Sequence, residues 1–129
     1  MNKIFLLFLP FILNAAFIKF PFKFSTKKDQ IARFIIYYDK NSFDLKLRWT
    51  LYKNGVLTVL YNYDKFPYQI TLFNNSELNF FKINIASYTG FQPVLYIKVN
   101  KFSPNLVEFE MYLNKKYNKK IKIDYKGGR

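Results

Sequence analysis

Apolar and polar residues alternate with a period of two along most of this chain. Between positions 43 and 52, Phe43, Leu45, Leu47, Trp49 and Leu51 fall on one side of an extended backbone. Asp44, Lys46, Arg48, Thr50 and Tyr52 fall on the other. Successive side chains of a strand point to opposite faces, so this pattern predicts a strand with one dry side. Comparable stretches cover 18–24, 56–63, 68–73, 78–85, 94–101, 106–113 and 120–125. Positions 31–38 form a denser apolar run, which predicts a strand covered on both faces. Helical periodicity is scarce, and the total is about nine strands. Pro21 has no N–H to give a ladder, so the strand over 18–24 is expected at a sheet edge.

Register can be argued at two connections. Lys53-Asn54-Gly55 separates two apolar runs. A two-residue Asn54-Gly55 turn would pair Lys53 with Val56, place Trp49 opposite Leu60 and mix the faces. A three-residue loop places Leu51 by Leu57, Trp49 by Val59, Leu47 by Tyr61 and Leu45 by Tyr63. One side is then wholly apolar. A one-residue slip exchanges faces, so burial predicts the three-residue loop, with Gly55 left-handed and closing a bulge. The runs 94–101 and 106–113 are joined through Phe102-Ser103-Pro104-Asn105. Pairing Val99 with Val107 predicts Ile97 by Phe109 and Leu95 by Met111, with Lys98 by Glu108 and Tyr96 by Glu110 behind. The links are mostly short, which favours neighbouring antiparallel strands. The expected fold is one all-β domain of about nine short antiparallel strands. It is mostly a meander, closed as a small barrel or folded as a two-sheet sandwich.

The first residues read differently. MNKIFLLFLPFILNAAF has a lysine near its start, a ten-residue apolar stretch from Ile4 to Leu13 broken only by Pro10, and a small residue at Ala15. That is the layout of a secretory signal peptide over 1–15, with the apolar run too short to span a bilayer. The expectation is a mature domain over 16–129, periplasmic or secreted, with no transmembrane span. Loss of Lys3 with the signal lowers the formal charge from +13 to +12.

Composition narrows the chemistry. The chain has no cysteine and no histidine, and eight carboxylates. Disulfide staples are absent, and so are the commonest general base, metal ligand and strong nucleophile. Four glycines cannot build a phosphate-cradling loop. No catalytic residue, metal site or cofactor is expected. Glu108 and Glu110 stand two apart on one strand, with Cα atoms about 6.5–7 Å apart. They read as surface carboxylates facing Lys98. The core is expected to be aromatic, since the chain holds 16 Phe and 11 Tyr.

The remaining signal is charge. Positions 114–129 read NKKYNKKIKIDYKGGR, with Lys115, Lys116, Lys119, Lys120, Lys122, Lys126 and Arg129 against Asp124 alone. That stretch carries half of the mature net charge and predicts attraction to polyanions. Tyr117, and Tyr88 and Phe91 in the loop Ser87-Tyr88-Thr89-Gly90-Phe91, are candidate aromatic contacts. The reading is a non-enzymatic envelope protein that binds anionic lipid, lipopolysaccharide, acidic glycan or a protein partner. Export disfavours nucleic acid. Two alternatives stand beside it: a periplasmic carrier of an acyl chain or other apolar ligand in a half-barrel, and a small outer-membrane β-barrel.

Overall fold

The computed structural model describes residues 16–75, 77–86, 93–114 and 120–128. The expected signal peptide therefore lies outside the described residues. Among the described residues nine strands form: β1 (Phe22–Thr26), β2 (Ala32–Tyr38), β3 (Asn41–Lys53), β4 (Val56–Tyr63), β5 (Phe66–Phe73), β6 (Phe80–Asn84), β7 (Val94–Lys101), β8 (Val107–Leu113) and β9 (Ile121–Gly128). They make two antiparallel sheets, in the orders β5-β4-β3-β2-β9 and β1-β8-β7-β6. Of the two closures the sequence allows, the chain adopts the sandwich, and the sheets do not close into a barrel. Two meanders, β2 to β5 and β6 to β8, form the bulk. The terminal strands pair non-locally, β1 with β8 and β9 with β2.

Alternation decides which faces meet. Phe34, Leu45, Leu47, Trp49, Leu57 and Val59 point inward from the larger sheet. Leu95, Ile97, Val99, Phe109 and Met111 meet them from the smaller, and all belong to one core cluster. Two hydrogen bonds tie the sheets together. The Trp49 indole N–H donates to the carbonyl of Thr26 at 2.9 Å, and the Tyr63 hydroxyl to that of Ile85 at 2.7 Å. Rings bridge the layers too: Phe24 lies 5.0 Å from Phe34 and 5.9 Å from Tyr125, and Tyr61 stacks on Phe81 at 5.1 Å.

Several sequence expectations change in detail. The stretch 18–24 is not one strand. Ile18 donates its N–H to Ile123 beside β9, and the chain enters the other sheet at Phe22, with Pro21 between. β1 is nevertheless an edge strand, as expected. β2 is covered on one face only: Arg33 and Tyr37 are exposed, because among the described residues no third layer lies over that side.

The β3–β4 hairpin has the expected core pairs, Trp49 with Val59, Leu47 with Tyr61 and Leu45 with Tyr63. Its turn is different. Lys53 pairs with Val56, so the turn has two residues, Asn54 (φ 53°) and Gly55 (φ 77°). Both are left-handed, the geometry whose twist suits a two-residue hairpin. The extra residue sits instead at Thr50, where the register shifts between Trp49 and Leu51. The bulge turns Leu51 outward to 53% exposure and brings Tyr52 opposite Leu57. Asp39-Lys40 and Asp64-Lys65 turn the neighbouring hairpins in the same two residues, again at positive φ. A Cβ on Gly55 would meet only Asn74 Cβ, at an ordinary 3.8 Å. Gly55→Ala is therefore expected to cost about 1 kcal/mol from backbone conformation alone. Urea unfolding checks this; a loss near zero would show that the turn relaxes freely.

The β7–β8 register is off by two residues from the expected one. Val99 pairs with Phe109, Ile97 with Met111 and Leu95 with Leu113. A slip of two keeps every side chain on its face, so patterning cannot detect it. Another bulge, at Asn100, accompanies the shift, and the Asn100 amide donates to Glu110 at 2.8 Å.

Candidate anion-binding face

β9 is built as its alternation requires. Ile121 and Ile123 are buried, and Tyr125 packs on the core rings. Lys122, Asp124 and Lys126 therefore project from the outer face of the larger sheet. Pairing then sets their neighbours. Lys122 is registered with Tyr37, and Asp124 with Ile35, which is registered with Asp44. The β2–β9 ladder shifts between Ala32 and Phe34, which leaves Arg33 beside the end of β9. Arg33 is registered with Lys46 on β3, and Arg48 follows two residues later. Five cations from three adjacent strands thus share one face.

Three carboxylates partly neutralise them. Arg33 Nε lies 3.1 Å from Asp44, Arg48 Nη1 lies 3.4 Å from Asp29, and Lys126 Nζ lies 2.7 Å from Asp124. That last contact, first through its hydrogen bond, pushes the Lys126 ammonium above its ordinary pKa. The two arginines stay half-exposed, so their remaining donors face solvent. Among the described residues Lys46 and Lys122 form no ion pair. Lys122 instead lies 5.3 Å from the centre of the Phe17 ring.

The surface is grooved here. A trough of about 440 Å³ runs over Lys46, Arg48, Leu60, Asn62 and Gln69. A second, of about 340 Å³, is bounded by Ile31, Arg33, Lys46, Lys126 and Gly127. Lys46 stands between them. A third, of about 390 Å³, opens at the Asp39-Lys40 turn and is lined by Lys40, Lys120 and Lys122.

Of the sequence-predicted cations, Lys120 and Lys122 come together at one end of β9, and Lys126 stands at the other beside Arg33 and Lys46. Lys115, Lys116, Lys119 and Arg129 lie outside the described residues, as do Tyr88, Phe91 and Tyr117. Arg33, Lys46 and Arg48 were not among the expected site residues. Their outward positions on alternating strands were readable, but which strand adjoins β9 was not.

The outer face of the smaller sheet is also charged. Lys98 pairs with Glu110 and Lys101 with Glu108, while Tyr96 stacks on Tyr112 at 5.2 Å. The expected pairs Lys98–Glu108 and Tyr96–Glu110 are thus displaced with the register. Glu108 and Glu110 lie on a surface ladder among lysines. Among the described residues no three metal-binding side chains cluster, and no helix is long and apolar enough to cross a membrane.

The fold and this face define an all-β sandwich with a grooved, basic outer sheet. Comparison with protein-family models, with curated proteins and with solved structures returns no match.

Proposed function

We propose that this chain is an exported, non-enzymatic binding module that attaches to an anionic envelope component, such as lipid phosphate, lipopolysaccharide or acidic glycan, through the outer face of β9, β2 and β3. The observation that carries this reading is the convergence of Lys122, Lys126, Arg33, Lys46 and Arg48 on one grooved face. Clustered like charge raises the local concentration of anions, and each lysine near an anionic surface contributes about 1 kcal/mol. Carriage of an acyl chain inside the fold has less support, because the inner faces of both sheets meet in one cluster of their own side chains.

Sedimentation with phosphatidylglycerol vesicles tests the proposal. The parent should bind at low salt and lose affinity steeply toward physiological ionic strength, since the attraction is screened. The triple variant Lys46→Glu, Lys122→Glu, Lys126→Glu changes only exposed side chains. It is expected to weaken binding by a factor of at least about ten. A variant that binds as well as the parent would show that these cations merely solvate the sheet.

A further inference from the structure

We propose that the edge of β5, which pairs with no further strand among the described residues, is a self-association surface. Two copies of the chain pair β5 against β5 antiparallel about Gln69, joining their larger sheets into one continuous sheet. The inference rests on the β5 edge and on none of the cations of the anion-binding face, although Gln69 also borders the first trough.

The first observation is charge. β5 reads FPYQITLF and holds no charged residue, in a chain whose residues are 22% charged. The other edges are guarded. β1 carries Lys23, β6 carries Lys82, and β9 carries Lys122 and Lys126 and is flanked by Phe17 and Ile18. Long uncharged edges invite another strand, and lysine is the usual deterrent. On a chain of net charge +13, an uncharged strip is also where a second copy can approach without meeting cations head-on.

The second observation is the direction of the backbone groups. The Asn74 N–H donates to Gly55 at 3.0 Å, on the β4 side, while the Phe73 N–H donates to Leu78 at 3.0 Å, on the other. Antiparallel alternation then turns Pro67, Gln69 and Thr71 toward the free edge. Pro67 lacks its donor on that side only, so the β4–β5 ladder loses nothing.

These groups are self-complementary, as a two-fold interface requires. With the axis at Gln69, the two Gln69 residues exchange N–H and C=O. The Thr71 N–H of each copy meets the Pro67 carbonyl of the other, while the Thr71 carbonyl meets no donor at Pro67 and keeps its water. Leu78 fills the place beside Phe73, and the pairing strand ends at Phe66 before reaching it, because the chain turns away at Asp64-Lys65. An axis at Ile70 would instead drive Pro67 into Leu78.

The inner face completes the fit. Phe66 is 66% and Tyr68 47% exposed, although both point toward the other sheet, whose nearest strand, β6, is only five residues long. Pairing sets Phe66 against Leu72, and Tyr68 against Ile70, of the second copy, giving four apolar cross-strand contacts of the kind that stabilise sheets.

Analytical ultracentrifugation from micromolar to millimolar concentration tests this on the purified protein. A monomer–dimer equilibrium is expected. Gln69→Lys places two cations across the axis on an exposed position, and Gln69→Pro removes N–H groups that face solvent in the monomer. Each should raise the dimer dissociation constant roughly tenfold or more, with an unchanged far-UV spectrum. Should the proline variant fail to fold, the lysine variant decides. A parent that stays monomeric, forms open-ended oligomers, or dimerises equally well with lysine at position 69 overturns the proposal.

Discussion

Trp49→Ala is expected to lower the stability of the fold by about 3–5 kcal/mol. A domain of this size has roughly 5–15 kcal/mol in total, so the variant should be marginal at room temperature. Trp49 is 1% exposed and is among the largest fully buried side chains. It stands on β3, and its indole N–H reaches across the sandwich to the Thr26 carbonyl on β1. Truncation therefore removes a large apolar surface, leaves a cavity between the sheets, and strands a buried acceptor. Trp49→Phe separates these effects. It keeps most of the ring volume but loses the donor, and is expected to cost about 1–3 kcal/mol. Urea unfolding followed by far-UV circular dichroism is the measurement, since the chain has a single tryptophan and both variants abolish its fluorescence. A loss below about 1 kcal/mol for Trp49→Ala would mean that the sheets close over the gap and that this tie does not hold them.

Above neutrality, stability is expected to fall from about pH 10 upward, with Tyr63 a leading contributor. Burial pushes its phenol well above the ordinary range, with lesser contributions from Asp64 and Tyr68. Its hydroxyl donates to the Ile85 carbonyl, which the phenolate cannot do. The folded protein thus holds this proton more tightly than the unfolded chain. The resulting stability is complete below the unfolded pKa near 10 and is lost as pH rises toward the folded value. Tyr61, Tyr112 and Tyr125 are also shifted upward, each first by burial. With no histidine and no cysteine, no side chain has an ordinary pKa between those of the carboxylates and the tyrosines, so the profile should be flat from roughly pH 6 to 9. Tyr63→Phe should cost about 1–2 kcal/mol at pH 7, by leaving the Ile85 carbonyl unpaired, and should make the alkaline decline shallower. Thermal melts across pH 7 to about 11 decide; parallel slopes for parent and variant would remove Tyr63 from the account.

The candidate face shows how far a linear reading reaches. Lys122 and Lys126 are legible as outward positions of the last strand, because Ile121 and Ile123 mark the inward ones. Arg33 and Lys46 carry equal charge and sit in the same patch, yet nothing local connects them to β9. Their neighbourhood depends on β9 returning to pair with β2 across most of the chain length. Backbone pairing recognises any strand of suitable face pattern, so the choice among partners belongs to the assembled core.

For most strands, though not for 18–24 or β2, the sequence by itself determined the element and its dry side. Period-two alternation places Leu47, Trp49, Val59, Ile97 and Phe109 inward, and all are buried. It also determined the core pairs of the β3–β4 hairpin, because a slip of one residue would have carried that whole apolar set into water. Tertiary structure decided what burial cannot distinguish. The β7–β8 ladder moved by two residues without changing faces, with a bulge at Asn100. The β3–β4 surplus residue moved from the turn to Thr50, where it frees Asn54 and Gly55 for a tight left-handed turn and turns Tyr52 toward the core in place of Leu51. Sandwich over barrel, and the pairings of β1 with β8 and β9 with β2, follow from which apolar faces fill one another best. Complementarity of that kind is a property of two packed sheets and has no counterpart along a single strand.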